Sequence, residues 1–352
     1  MQDGLASLFR DPSPALSALW ADGCTFLGTP TAILGGAMTW VSERHLVSAI
    51  SEAGGFGVLA SGSMPPETLR AEIQATQALT DKPFGVNLII MHPQLSALAA
   101  VCLEEGVSHI VLAGGIPPSE TIRQIKDGGA KAIAFGPTYA LARKLVRVGV
   151  DALIIEGSEA GGHIGAVSTS VLAQEILPVI REVPVFVAGG IGRGEAMLAY
   201  LEMGAAGVQL GTRFVCATES VAHPNFKKAF VRATAREAQP SVQLDPRFPV
   251  IPVRALINQA TRAFQECQRE IIAEVDAGRL DQKQAQLDIE HFWAGALRRA
   301  VVEGDVENGS LMAGQSVGFV NKEQATAEII TDLIDQAEAA LRARALSRAL
   351  GG

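Results

Sequence analysis

Cysteine, metal-ligand spacing, long apolar runs and excess positive charge are all scarce in this 352-residue chain. The four cysteines, Cys24, Cys102, Cys216 and Cys267, lie far apart and form no CxxC or zinc pattern. They read as free, buried thiols. None of the six histidines belongs to an HExxH pair, so no metal site is expected. No stretch approaches the roughly 18 uninterrupted apolar residues of a membrane span. The first residues carry Asp3, Arg10 and Asp11 where a signal peptide needs an apolar block. A cytoplasmic protein without membrane contact is therefore predicted. The net charge of −8 disfavours nucleic acid as a partner. There is no G-x-x-x-x-G-K-[ST], which excludes a P-loop, and no separate dinucleotide fingerprint.

What the chain has is apolar residues (48%), few charges (19%) and 36 glycines. Over its first two-thirds one unit repeats: a short apolar, β-branched run that ends in Gly or small polar residues, then a helical stretch. The runs are 31–37, 57–60, 84–90, 109–113, 132–135, 152–155, 185–188 and 207–210. Continuous apolar runs without alternation suit strands buried on both faces. Helical grammar fills the gaps. Ser42 can cap a helix carrying Leu46, Val47 and Ile50 that stops at Gly54-Gly55. Stretches 140–148 and 195–203 end at Gly149 and Gly204. Eight strands alternating with helices predict an α/β fold, a (β/α)8 TIM barrel, over an open doubly wound sheet. The pattern breaks after residue 217. Residues 254–275 place Leu256, Ile257, Ala260, Phe264, Cys267, Ile271, Ile272 and Val275 at helical spacing. Residues 218–309 are therefore expected to be a smaller helical substrate domain, inserted into a barrel built from 1–217 and 310–352. Residues 322–341 carry Ile330, Leu333, Ile334, Ala337 and Leu341 on one face, fit to cover the barrel wall.

In such a barrel the site lies at the C-terminal ends of the strands. Those ends supply Gly36-Ala37-Met38, Asn87, Gly114-Gly115, Gly136-Pro137-Thr138, the loop 156–165, Gly189-Gly190 and Gly211-Thr212. The last two follow the seventh and eighth runs, where barrels often hold a phosphate on backbone N–H groups. Glycine lets the backbone approach an anion without a Cβ. In the loop Glu156-Gly157-Ser158-Glu159-Ala160-Gly161-Gly162-His163-Ile164-Gly165, four glycines surround one histidine. Histidine can take, give or share a proton near neutral pH. His163 is the candidate catalytic residue. His45, His92, His109 and His291 read as structural.

Several motifs in order resemble the nitronate monooxygenase family, which includes FMN-dependent enoyl-acyl-carrier-protein reductases of the FabK type. They are ILGGAMTWVSERHLVSAISEAGGFG (33–57), KPFGVN (82–87), the His163 loop, AGGI (188–191), GTRF (211–214) and GDVENGSLMAGQSVG (304–318). The resemblance runs from about residue 30 to 340. It implies a barrel that holds FMN non-covalently. It implies flavin contacts at Gly36, Ala37, Met38, Asn87, Gly189, Gly190, Gly211 and Thr212, completed by Thr138, Glu156, Gly162 and, from the tail, Gln315. His163 would be the active-site histidine. The sequence departs from the family at Ala32, usually Pro, and at Gly35, usually Gln.

The resemblance implies NAD(P)H as electron donor and a small-molecule or acyl-thioester substrate. An acidic acyl carrier protein and a homodimer partner are compatible with it. Lys227, Lys228, Arg232 and Arg236, or Arg298-Arg299, would supply the local positive charge a carrier protein needs. Enoyl-thioester reduction is the leading expectation. Nitronate oxidation with O2, NAD(P)H:quinone reduction and a non-catalytic flavin-binding role stay open beside it.

Overall fold

All eight apolar runs become strands, and they close on one another. The structure is a computed structural model that describes residues 12–62, 64–250, 252–293 and 295–350. The strands in chain order are β1 (Ile33–Gly35), β2 (Phe56–Ala60), β3 (Phe84–Ile89), β4 (His109–Ala113), β5 (Lys131–Phe135), β6 (Ala152–Glu156), β7 (Gly162–His163), β8 (Val185–Ala188), β9 (Gly207–Leu210), β10 (Ala238–Pro240) and β11 (Val253–Leu256). The barrel order is β1-β2-β3-β4-β5-β6-β8-β9. Every neighbouring pair is parallel, and β1 closes the ring by pairing Ile33 with Val208 of β9. This is a (β/α)8 TIM barrel. Its strands are buried almost throughout, as the unbroken apolar runs require.

The helix after β1 is Arg44–Glu52, and its cap differs from the expectation. Glu43 is the N-cap, and its carboxylate accepts from the His45 and Leu46 amides. Ser42 instead braces the loop before it: its hydroxyl donates to Gly36 O and accepts from Met38 N. At the far end of the chain, the helix Thr326–Leu350 packs across the helix Gly194–Glu202, so closely that a Cβ on Gly194 would stand 2.0 Å from Leu333 O. The tail thus covers the barrel wall as its apolar stripe predicts. His109 is structural, with Nε2 bonded to Phe26 O at 2.9 Å.

The region 218–309 is helical only in part. Its helices are Pro224–Arg232, Gln259–Asp276, Gln282–His291 and Ala296–Val301. The helical spacing read from residue 254 fails at its start: Leu256 lies in strand β11, and the helix begins at Gln259 behind an Asn258 cap. β10 and β11 form a three-stranded antiparallel sheet with β7, which carries His163. A backbone that must pair with another strand overrides a helical side-chain period. Two apolar cores result. Phe226, Phe230, Leu256, Ala300 and Val301 join the barrel core. Phe248, Phe264, Ala285 and Ile289 form a separate one, packed by Phe292 and Trp293.

Candidate active site

The loops after β8 and β9 present backbone rather than side chains. Gly189 and Gly190 have φ of 94° and 76°, the left-handed region that strains any residue with a Cβ. A Cβ on Gly190 would also meet Glu159 Cβ at 2.9 Å. The amides of Gly189, Gly190 and Gly211 make no hydrogen bond among the described residues. The short helix Thr212–Val215 starts at Gly211, so its first amides have no intrahelical acceptor. A cavity of about 320 Å³ lies against the Gly189-Gly190 turn, walled also by Glu159, Tyr200 and Gln315 among others. Free amides grouped in this way form an anion cradle. Thr212 takes a different part: its hydroxyl accepts from Gly314 N at 2.9 Å and so anchors the tail that carries Gln315.

The loop between β6 and β7 holds the titratable groups. His163 remains accessible on β7, directly opposite Val253 of β11. The protein around it removes enough water to lower its pKa below the usual 6.5, so the imidazole is neutral at pH 7. Glu156, at the end of β6, is shifted the opposite way. Burial pushes its carboxyl up to about 8, so it holds its proton at pH 7. Two groups pushed apart in this way suit separate roles in proton transfer. Gly162 faces Met312: a Cβ there would stand 3.5 Å from the sulfur.

Arg254 organises this loop, and the sequence reading missed it. It is 7% exposed. Its Nε donates to Ser158 O at 2.8 Å and its Nη1 to Ala238 O. Its own carbonyl accepts from Ala313 N at 3.3 Å. One guanidinium therefore ties the histidine loop to β10, while the backbone of the same residue ties β11 to the tail. The legible signal was a lone charge inside the apolar run VIPVRAL.

On the other side of the mouth, Gly36 lies beside Gln209, whose side chain would be 3.2 Å from a Cβ at that position. Gln209 was also missed, although it is a polar residue inside the apolar run GVQL, as Asn87 is in GVNLI. Asn87 is buried, and its Nδ2 donates to Val111 O at 3.3 Å. Ser61, at the end of β2, has a buried hydroxyl without a partner among the described residues. Met38 reaches the loop after β9, its sulfur 3.5 Å from the Cβ position of Gly211. Ala37 lies between Gly36 and Met38 in the loop braced by Ser42. Gly35 departs from the family pattern without consequence for the mouth. A Cβ there would run into Ile50 Cδ1 at 2.3 Å, so the position faces a helix. Thr138 stands apart, exposed, and its hydroxyl caps the helix Tyr139–Val148. Lys227 offers no surface charge. It is 5% exposed and donates to Ala217 O and Glu323.

A sequence model described as nitronate monooxygenase matches residues 24–100 and 97–336. Among solved structures, FabK from Thermotoga maritima superimposes with a TM-score of 0.81 at 38% identity, over 91% of this chain and 96% of that one. A nitroalkane oxidase from Streptomyces ansochromogenes gives 0.74 at 27% identity, over 90% and 98%. A (3aS,4S,5R,7aS)-5-hydroxy-7a-methyl-1-oxo-octahydro-1H-indene-4-carboxyl-CoA dehydrogenase from Mycobacterium tuberculosis is 29% identical over 335 residues, 88% of this chain and 93% of that protein.

Proposed function

Because the chain belongs to the nitronate monooxygenase family, and is an oxidoreductase, we propose that it is an FMN-dependent reductase of enoyl thioesters that draws its electrons from NAD(P)H. The observation that carries this reading is the pairing of an anion cradle at Gly189-Gly190 with an accessible, neutral histidine on a neighbouring loop. The similarity to FabK, over 91% of the chain, supports the substrate class. A relative that acts on a carboxyl-CoA supports it from a second direction.

The residues fit FMN. The free amides of Gly189, Gly190 and Gly211 suit its phosphate, and the left-handed turn at Gly189-Gly190 leaves no room for a Cβ beside Glu159 at the second glycine. Gln315 reaches the same cavity from the tail. Gly36, Ala37, Met38, Asn87 and Gln209 would border the rest of the cofactor. FMN held there would supply hydride transfer between the nucleotide and the substrate. His163 donates a hydrogen bond to the thioester carbonyl and so favours charge on that oxygen. Glu156, protonated at neutral pH, is a proton store at the head of the same loop. The sheet β7-β11-β10 hands the region 218–309 a direct grip on the histidine strand, and we assign that region to substrate binding. Lys228, Arg232 and Arg236 are exposed there and available to an acidic carrier.

A second reading has its own support. A neutral His163 is also a base, fit to take a proton from a nitroalkane, and the chain resembles a nitroalkane oxidase at 27% identity. Anaerobic mixing separates the two. Flavin bleached by NADH or NADPH and recoloured by a crotonyl thioester is the expected result. Oxygen uptake with an alkyl nitronate, without bleaching by pyridine nucleotide, overturns the reductase. Bleaching reversed only by a quinone selects a quinone reductase.

A further inference from the structure

Trp40 is the one non-glycine residue with positive φ among those described, at 69°. A bulky aromatic residue in the left-handed region is a true outlier, held there by its surroundings. Those surroundings are a tight turn in which Val41 N and Ser42 N both donate to Met38 O. The turn follows Met38 directly, and Met38 touches the Gly211 loop. The strain holds the indole out at the barrel mouth, where it keeps 45% of its surface exposed. A second observation comes from a distant part of the chain. Arg298, on the helix Ala296–Val301, places its guanidinium 5.9 Å from the centre of the indole ring. Half of the Arg298 side chain stays exposed, and Glu303 pairs with it. The mouth thus carries a half-exposed aromatic ring with a cation standing over it, in a protein whose net charge is −8.

We propose that Trp40 and Arg298 form a shelf for an adenosine diphosphate group, the adenine stacking on the indole and the diphosphate meeting the guanidinium. This inference rests on the reductase reading, because that reaction brings adenosine diphosphate to the mouth in two forms. One is the nucleotide donor and the other is coenzyme A. An aliphatic chain fits this place poorly, since it would strip water from Arg298 and return no hydrogen bond. A purine with phosphate oxygens satisfies both the ring and the cation. The nicotinamide of a donor has its own surface on the flavin. The adenine at the other end needs one elsewhere, and an indole on the rim supplies it.

The test uses the flavin-loaded protein and ADP as the probe, with binding measured by calorimetry. Trp40→Gly is the first variant, because glycine accepts a φ of 69° and should leave flavin content and Tm unchanged. Trp40→Gly should weaken ADP binding by about 10-fold or more, the scale of one base–aromatic stack. Arg298→Gln should weaken it and flatten its salt dependence. Absence of ADP binding to the parent protein, or equal binding to all three proteins, overturns the shelf. Steady-state kinetics then names the source. A KM for NAD(P)H that rises in Trp40→Gly assigns the donor. A KM that rises for an enoyl-CoA but not for the matching N-acetylcysteamine thioester assigns coenzyme A. ADP binding with no change in either KM is adventitious and also overturns the proposal. Failure of the reductase reading shows separately, as a parent flavin that no pyridine nucleotide bleaches.

Discussion

The two halves of the barrel mouth are built from different material. On the side of β8 and β9 the protein offers backbone: Gly189, Gly190 and Gly211 expose amides with no partner among the described residues. On the side of β1 to β5 it offers side chains. Trp40, Met91, Ile116 and Tyr139 all follow strands of that half and all are exposed. The first half suits an anion and tolerates little substitution at Gly189 and Gly190, whose left-handed backbone only glycine adopts without strain. The second half suits rings and chains. Its selectivity can change with one side chain while the backbone stays in place. His163 lies beyond β6, between the two, on a loop fixed from outside the barrel by β11.

The strongest way to break this division is His163→Ala. Flavin should stay bound, because its phosphate is assigned to the backbone half, while turnover falls by roughly 10²–10⁴, the scale of an acid–base group. Loss of flavin with unchanged turnover per bound flavin would merge the two regions. The pH profile sharpens the point. His163 has a lowered pKa, so activity that needs the neutral ring is lost as pH falls, along a limb below pH 6.5. That limb should vanish in His163→Gln.

Gly190→Val attacks the other half. The left-handed backbone and the Glu159 contact should reduce FMN affinity by about 100-fold, read as flavin fluorescence during titration of the apoprotein. Flavin retained at parental affinity removes Gly190 from the cradle. Arg254→Met tests the fastening of the histidine loop that lies between the halves. We expect kcat to fall about 10-fold with flavin retained, together with faster amide exchange across residues 157–165, since a guanidinium hydrogen bond to Ser158 O holds that loop. Added guanidinium should restore part of the rate. Unchanged exchange in the loop would make Arg254 a packing residue only.

The smallest effect concerns stability. The folded apoprotein keeps a proton on Glu156 that the unfolded chain releases from its ordinary value of 4.5. Stability should therefore decline as pH rises from about 4.5 towards about 8, and Glu156→Gln should flatten that slope. A parallel decline in both proteins assigns the slope to another group.

The barrel was legible because burial on both faces writes itself as unbroken apolar runs. β4, β8 and β9 match the predicted runs residue for residue, and the others shift by one or two positions at most of their ends. The glycine half of the site was legible for a related reason: Gly189, Gly190 and Gly211 stand at strand ends where no core needs them. Ser42 and Leu256 were read wrongly. Ser42 has the residue type of a cap, but Glu43 sits one step closer to the helix and takes the role. Leu256 satisfies a helical period, but its backbone is claimed by β10. Gln209 and Arg254 left a visible trace, a polar residue in an apolar run, without saying what each would touch.

The sequence by itself determined the eight barrel strands and their closure, the loop that carries His163 and the glycine half of the mouth. Each of these is a local property, since periodicity and glycine placement act within a few residues. Only the tertiary structure decided that β11 pairs with β7, that Arg254 reaches Ser158 from 96 positions away, and that Arg298 comes to rest over Trp40. Contacts of that span depend on how the elements close in space, and a linear pattern of residue types does not encode the partner. The barrel came from burial, which every residue reports for itself. The set of the histidine loop and the shape of the rim came from pairings, which no single residue reports.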